Sequence, residues 1–200
     1  ALATSTAKMQ SSWDGITRAT GLTFDASHCI SDMKFATEMD RGFGSESLGF
    51  ILSLTTEGIN PEHPVTRGLS SLLLPVCGEF GGAVYPGIVV TTLLTSSSEA
   101  RAVSTRDVLY SKREENLKMN TSFVGDRRSH ALAVLVEGPL HSFATGEHLK
   151  IRGEPKLILI GDSEFIADPY AVKLQEIQEK QVFYPINNNF GLLNNCIDFL

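Results

Sequence analysis

The sequence predicts a three-layer α/β fold, with a mainly parallel sheet and helices on both faces. Four short runs are apolar almost without interruption: Leu48 to Leu54, Ile88 to Thr95, Ala131 to Val136 and Lys156 to Ile160. Strands covered on both faces read this way. Glycine, proline and serine clusters bound the runs, and helical periodicity at both ends of the chain supplies covering layers.

The opening element is a helix, because Met9, Trp13, Ile16 and Ala19 recur on one face and Gly21 is suited to end it. A helix is an odd start for a sheet-based fold, so an earlier strand is expected upstream of Ala1. After Leu22 to Phe24 and a mixed stretch, Gly42 to Ser47 reads as a loop and Leu48 to Leu54 as the first buried strand. Asn60-Pro61 and His63-Pro64 break the chain, Val65 to Leu74 holds a short helix or turn, and Pro75 stops any helix there. Gly78 to Gly87 carries four glycines and a proline and reads as a lid or crossover.

Ile88 to Thr95 is a β-branched strand, after which Ser104 or Thr105 caps a short helix around Asp107 to Tyr110. Ser111 to Ser129 is a polar excursion, and His141 to Arg152 is a loop between the last two strong strands. Glu164 to Lys180 has helical composition interrupted by Asp168-Pro169. The final helix begins at Asn187 to Asn189, whose side chains suit capping, and buries Phe190, Leu193, Ile197 and Leu200.

The 200 residues, 42% hydrophobic and 20% charged, suit one globular domain over 1–200 that folds alone. Seventeen basic and twenty-three acidic residues give a net charge of -6, with basic residues scattered except for Lys112-Arg113 and Arg127-Arg128. Nucleic acid is therefore not expected as a partner. No window reaches the ~18 to 20 apolar residues that span a bilayer. Ala1 to Gln10 lacks the basic start and apolar run of a signal peptide. Cys29, Cys77 and Cys196 are odd in number and form no C-x-x-C pair. They read as free, partly buried thiols, with one disulfide open in an oxidising compartment.

Open α/β sheets bind ligands beyond the carboxyl ends of their strands. Ser96 and Ser97, Gly138 to Ser142, and Gly161, Asp162 and Ser163 all follow expected strands and form the candidate ligand or partner site. Gly161-Asp162-Ser163 also matches the strand-to-helix turn in which GDS-type esterases place a nucleophilic serine. All five histidines (28, 63, 130, 141, 148) precede Ser163, however, against the order in those enzymes. The expected role is a tight turn at Gly161 with Asp162 or Ser163 capping a helix. The alternative is a hydrolase using Ser163, or Cys77, as nucleophile.

Cys77 lacks the flanking glycines of an amidotransferase elbow and reads as structural. His141 and His148 with Glu147 have loop context and no metal-ligand spacing, so no metal is assigned. No catalytic residue and no cofactor are expected. The Walker-type G-x-x-x-x-G-K-[ST] sequence is absent, so any ATPase is a separate subunit.

Four ordered segments carry a family resemblance. They are His63-Pro64-Val65-Thr66-Arg67-Gly68-Leu69, Thr92 to Ser98, Ala131 through Glu137-Gly138 to Phe143, and Leu157 to Phe165 followed by Asn189-Phe190 and Asn194. Together they resemble the auxiliary domain of ABC-type transport systems associated with bacterial gliding motility. The resemblance implies a flavodoxin-like or glutamine-amidotransferase-like fold and an extracytoplasmic (periplasmic) location at a bacterial inner membrane, held by segments outside this chain. It also implies permease, ATPase or other envelope proteins as partners.

Overall fold

A computed structural model describes residues 13–40, 42, 44–110, 128–140, 155–177 and 180–200. His141 to Arg152, including Ser142, and nearly all of Ser111 to Ser129 lie outside the described residues, as does Met9. In chain order the strands are β1 (Thr23–Phe24), β2 (His28–Ser31), β3 (Ala36–Asp40), β4 (Ser45–Thr55), β5 (Ser71–Pro75) and β6 (Phe80–Gly81). They continue with β7 (Val89–Thr95), β8 (Arg101–Ser104), β9 (Ala131–Glu137), β10 (Lys156–Ile160), β11 (Val172–Ile177) and β12 (Lys180–Pro185). Helices are α1 (13–20), α2 (Thr105–Tyr110), α3 (Asp168–Ala171) and α4 (Asn189–Phe199).

The apolar run of β9 forms the middle of a five-stranded sheet. One edge pairs with β7, and the other pairs with β10 and, at Ala131, with β6, which in turn pairs with β1. Both faces are covered, since Leu132 to Val136 are each at most 1% exposed. Leu132 and Leu135 enter a core with Leu52, Leu74, Leu93 and Leu192. Val134 and Val136 enter a second core with Leu22, Phe80 and Ile88, sealed by Trp13 and Ile16 of α1.

Every described strand pairing is antiparallel. The expected three-layer, mainly parallel α/β fold, flavodoxin-like or glutamine-amidotransferase-like, is therefore corrected to a mostly antiparallel β architecture with short helices. Uninterrupted apolarity reports that both faces of a strand are buried, and it carries no information on strand direction. Ile88 to Thr95, Ala131 to Val136 and Lys156 to Ile160 do share one sheet. Leu48 to Leu54 does not: it lies in β4, the centre of a separate β3-β4-β5 sheet. β2 pairs with β8 apart from both.

Gly21 ends α1 as expected, in the left-handed region with φ +80, its N–H donating to the Thr17 carbonyl at 2.7 Å. Ser104 accepts from the Asp107 N–H at 3.2 Å at the head of α2. The helix expected across Glu164 to Lys180 is confined to α3. Beyond it, β11 and β12 form an antiparallel hairpin in which Leu174 faces Phe183. Lys, Gln and Glu suit a helix by propensity, but cross-strand pairing overrides that weak preference.

The final helix forms, yet its inward face is shifted by one position from the expected stripe. Asn189, Leu192 and Cys196 are buried, whereas Ile197 is 65% and Leu200 67% exposed. The cause is a polar anchor that a hydrophobic periodicity cannot register. The Asn189 side-chain amide donates to the Leu73 carbonyl at 2.8 Å and to the Phe165 carbonyl, and its oxygen accepts from the Leu73 N–H at 3.0 Å. Asn188 makes no capping bond, and its oxygen instead accepts from the N–H groups of Ser70 and Ser71 at 3.0 and 3.2 Å. No described helix is long and apolar enough to cross a membrane.

Asn189→Ala should destabilise the protein by roughly 2–4 kcal/mol in a urea titration, because it strands two buried carbonyls and one N–H. Ile197→Ser, on the solvent side of the same helix, should change stability by less than about 0.5 kcal/mol.

Candidate functional site

A cleft of about 430 Å³ opens between α1, the loop after β5, the head of α2 and the turn after β10. Its floor is set by contact between two backbone segments. β5 ends at Pro75, and Val76 follows with φ 55, a left-handed conformation costly for a β-branched residue. The Val76 N–H donates to the Phe50 carbonyl, the Ile30 N–H to the Cys77 carbonyl, and the Gly78 N–H to the Gly161 carbonyl, each at 2.8 Å. The Gly161 N–H in turn reaches the Leu132 carbonyl at 2.9 Å, so the turn after β10 is sewn to both neighbours. A methyl group on Gly161 would collide with the Gly78 carbonyl oxygen, so close approach requires glycine there.

Asp162 lines this cleft and is only 6% exposed. One carboxyl oxygen, Oδ1, accepts from the Glu164 N–H at 2.7 Å, whereas Oδ2 is buried with no hydrogen-bond partner among the described residues. Burial pushes the carboxyl up to about 7. The Glu164 backbone N–H opposes the rise, and the negative charge of Glu164 adds to it.

Trp13 and Phe24 wall the cleft and stack with centroids 4.5 Å apart and rings inclined by 24°. Phe80 backs them at 5.6 and 5.1 Å. His28 and Ser163 also line the cleft. His28 Nδ1 lies 2.7 Å from Asp25 Oδ2 and 3.0 Å from the Ser27 hydroxyl. The Ser27 hydroxyl and His28 together hold the Asp25 carboxyl below its ordinary value. Ser163 is exposed and makes no hydrogen bond among the described residues.

Of the residues singled out from the sequence, Gly161, Asp162 and Ser163 line the cleft. Ser96 and Ser97 act elsewhere. The Ser96 hydroxyl accepts from the His130 N–H at 2.9 Å. Ser97 donates from its N–H and hydroxyl to the two oxygens of buried Asp32, at 2.6 and 2.9 Å. Gly138 lies at the opposite end of the strands, packed on Gly87, because antiparallel β9 ends where β10 begins. Ser142 lies outside the described residues. Cys77 is fully buried, its thiol directed at the Gly78 and Leu132 carbonyls and pushed well above its ordinary value by burial. All three cysteines are free and buried, Cys29 being raised to about 11 by desolvation.

Sequence reasoning passed over Trp13, Phe24, Val76 and His28 as site residues. The only local signal for His28 is Asp25 three residues earlier, which gives an i, i+3 carboxylate-imidazole pair at the head of a strand.

These features define a mostly antiparallel β protein with an aromatic-walled cleft over a buried carboxyl. Comparison with protein families matches residues 7–196 to the family described as "ABC-type uncharacterized transport system", an auxiliary component of such systems. The chain belongs to that family. No curated protein and no solved structure gives a significant match.

The folded value of Asp162, about 7, lies above its ordinary 3.8, so between those values the folded carboxyl keeps a proton that the unfolded chain has released. Stability therefore falls as pH rises through this window. Asp162→Asn keeps an oxygen for the Glu164 N–H and removes the titration. Between about pH 4.5 and about pH 8, wild type should lose roughly 3 kcal/mol relative to the variant, read from urea midpoints.

Proposed function

We propose that the chain is a non-catalytic auxiliary module of an ABC-type transport system of the gliding-motility kind, held on the extracytoplasmic face of a bacterial inner membrane. It docks on a transport-system subunit, foremost the permease, and holds a small ligand in the cleft. The supporting observation is the β11–β12 hairpin. Leu174 and Phe183 are cross-strand partners on one face and are 49% and 57% exposed. Tyr184, on the opposite face of the hairpin, and Ile186, just beyond β12, are 41% and 51% exposed. A cross-strand apolar pair left in water, with exposed Glu176 and Gln181 next to it on the same face, has the character of a protein-binding patch. Membership of a transport-auxiliary family names the kind of partner.

The second reading is hydrolysis at Ser163, and the His28–Asp25 pair lining the same cleft is the observation that favours it. It lacks the coupling that activates a serine, since no hydrogen bond joins Ser163 to an imidazole among the described residues.

The chain should co-purify with the permease of its own system, and the double change Leu174→Asp, Phe183→Asp should weaken that association by about tenfold or more. Undiminished binding by that variant would sink the hairpin assignment. A fluorophosphonate probe should leave Ser163 unlabelled, and labelling abolished by Ser163→Ala would establish the hydrolase instead.

A further inference from the structure

The chemistry of the cleft wall narrows what it can hold, on the reading that the cleft is a ligand site. Three ionisable side chains line it: Asp162, Glu164 and His28. His28 is already engaged by the Asp25 carboxylate, and no lysine or arginine lines the cleft among the described residues. Once Asp162 is ionised, above about pH 7, the charge facing a ligand is thus negative. A carboxylate, phosphate or sulfate group would meet like charge with no cation to offset it.

The remaining surface is apolar and aromatic: Trp13 and Phe24 on one side, Val76, Leu109 and Ile160 around them. Stacked rings attract cations through their quadrupole, and more strongly when water is excluded. A volume of about 430 Å³ falls in the range of small-molecule sites.

We propose that the cleft binds a small organic ammonium ion, with its N–H groups at the Asp162 carboxyl and its apolar body against Trp13 and Phe24. Asp162 Oδ2 has no hydrogen-bond partner among the described residues, and an ammonium ion brings a donor and, once the carboxyl is ionised, the opposite charge. Glu164, exposed at the rim, adds a second negative charge that draws the cation in and disfavours anionic competitors. The aromatic wall selects for a hydrocarbon body over a bare metal ion or ammonium, which would leave that surface unfilled.

Trp13 is the only tryptophan of the chain, so its fluorescence reports on the cleft directly. The full chain is titrated with phenethylammonium chloride, 2-phenylethanol and 3-phenylpropanoate, which share a phenyl body and differ in charge. Phenethylammonium should give a saturable change, with the alcohol and the carboxylate weaker by about tenfold or more. Asp162→Asn should lose about tenfold in affinity for phenethylammonium and none for 2-phenylethanol. Glu164→Gln, at an exposed position that folding does not depend on, should weaken the cation severalfold and decides the matter if the Asp162 variant does not fold. Equal binding of alcohol and ammonium, unchanged in both variants, overturns the ammonium assignment while leaving a ligand site in the cleft. No response to any of the three probes overturns the assignment and the cleft reading together, and permease co-purification reports on the docking role independently of either result.

Discussion

The structure depends on β9 being enclosed in two directions at once. Its edges are taken by β7 on one side and by β10 and β6 on the other, and its two faces feed two separate cores. No side chain from Leu132 to Val136 has a route to water, so each of the five must be apolar and of the right size. Everything that defines the cleft hangs from this strand. The Leu132 carbonyl holds the Gly161 N–H, and Gly161 holds Gly78. The aromatic wall stands on the second core, where Trp13 and Phe24 pack with Phe80 around Val134 and Val136.

Polar side chains add directional links to the shared apolar core that joins the separate sheets. Asp32, fully buried, accepts from Ser97 twice and from the Lys34 N–H at 3.0 Å, linking the end of β2 to the loop after β7. Asn60 bonds the Thr92 carbonyl at 3.0 Å, tying the turn after β4 to the five-stranded sheet. Asn195 reaches the Val65 carbonyl at 2.9 Å from α4. Directional bonds of this kind fix the register between layers that apolar packing alone would let slide. The strained Val76 is held by backbone hydrogen bonds instead, at its own N–H and at the Cys77 carbonyl and Gly78 N–H that follow it.

The strands buried on both faces were legible because their apolar runs are unbroken, and Lys156–Ile160 matches its strand residue for residue. Their direction was not legible, since a run with no alternation looks the same parallel or antiparallel. β2 was hidden because it is short and mixes an exposed polar with buried positions, β3 because none of its residues is fully buried, and β11 because its residues favour helix in isolation. The face of α4 was misassigned by one position for a single reason: an asparagine, not an aliphatic residue, is its innermost side chain. The glycine turn after β10 could be seen from its strand-turn context. Trp13, Phe24 and His28 could not be associated with it, because only the tertiary path brings the start of the chain against that turn.

Asn189 fills the place of a missing strand. Its amide gives and takes the two hydrogen bonds that a neighbouring strand would exchange with Leu73, and it does so on β5, the outer strand of its sheet. The residue doing this is separated by 116 positions from the backbone it protects. As the protein emerges from the ribosome, β5 is therefore made long before its cover. Until the last helix arrives, an unpaired edge with Leu72, Leu73 and Leu74 is open to pairing with another nascent chain. The order of synthesis gives this protein a late vulnerability, and a chaperone would have most to do there.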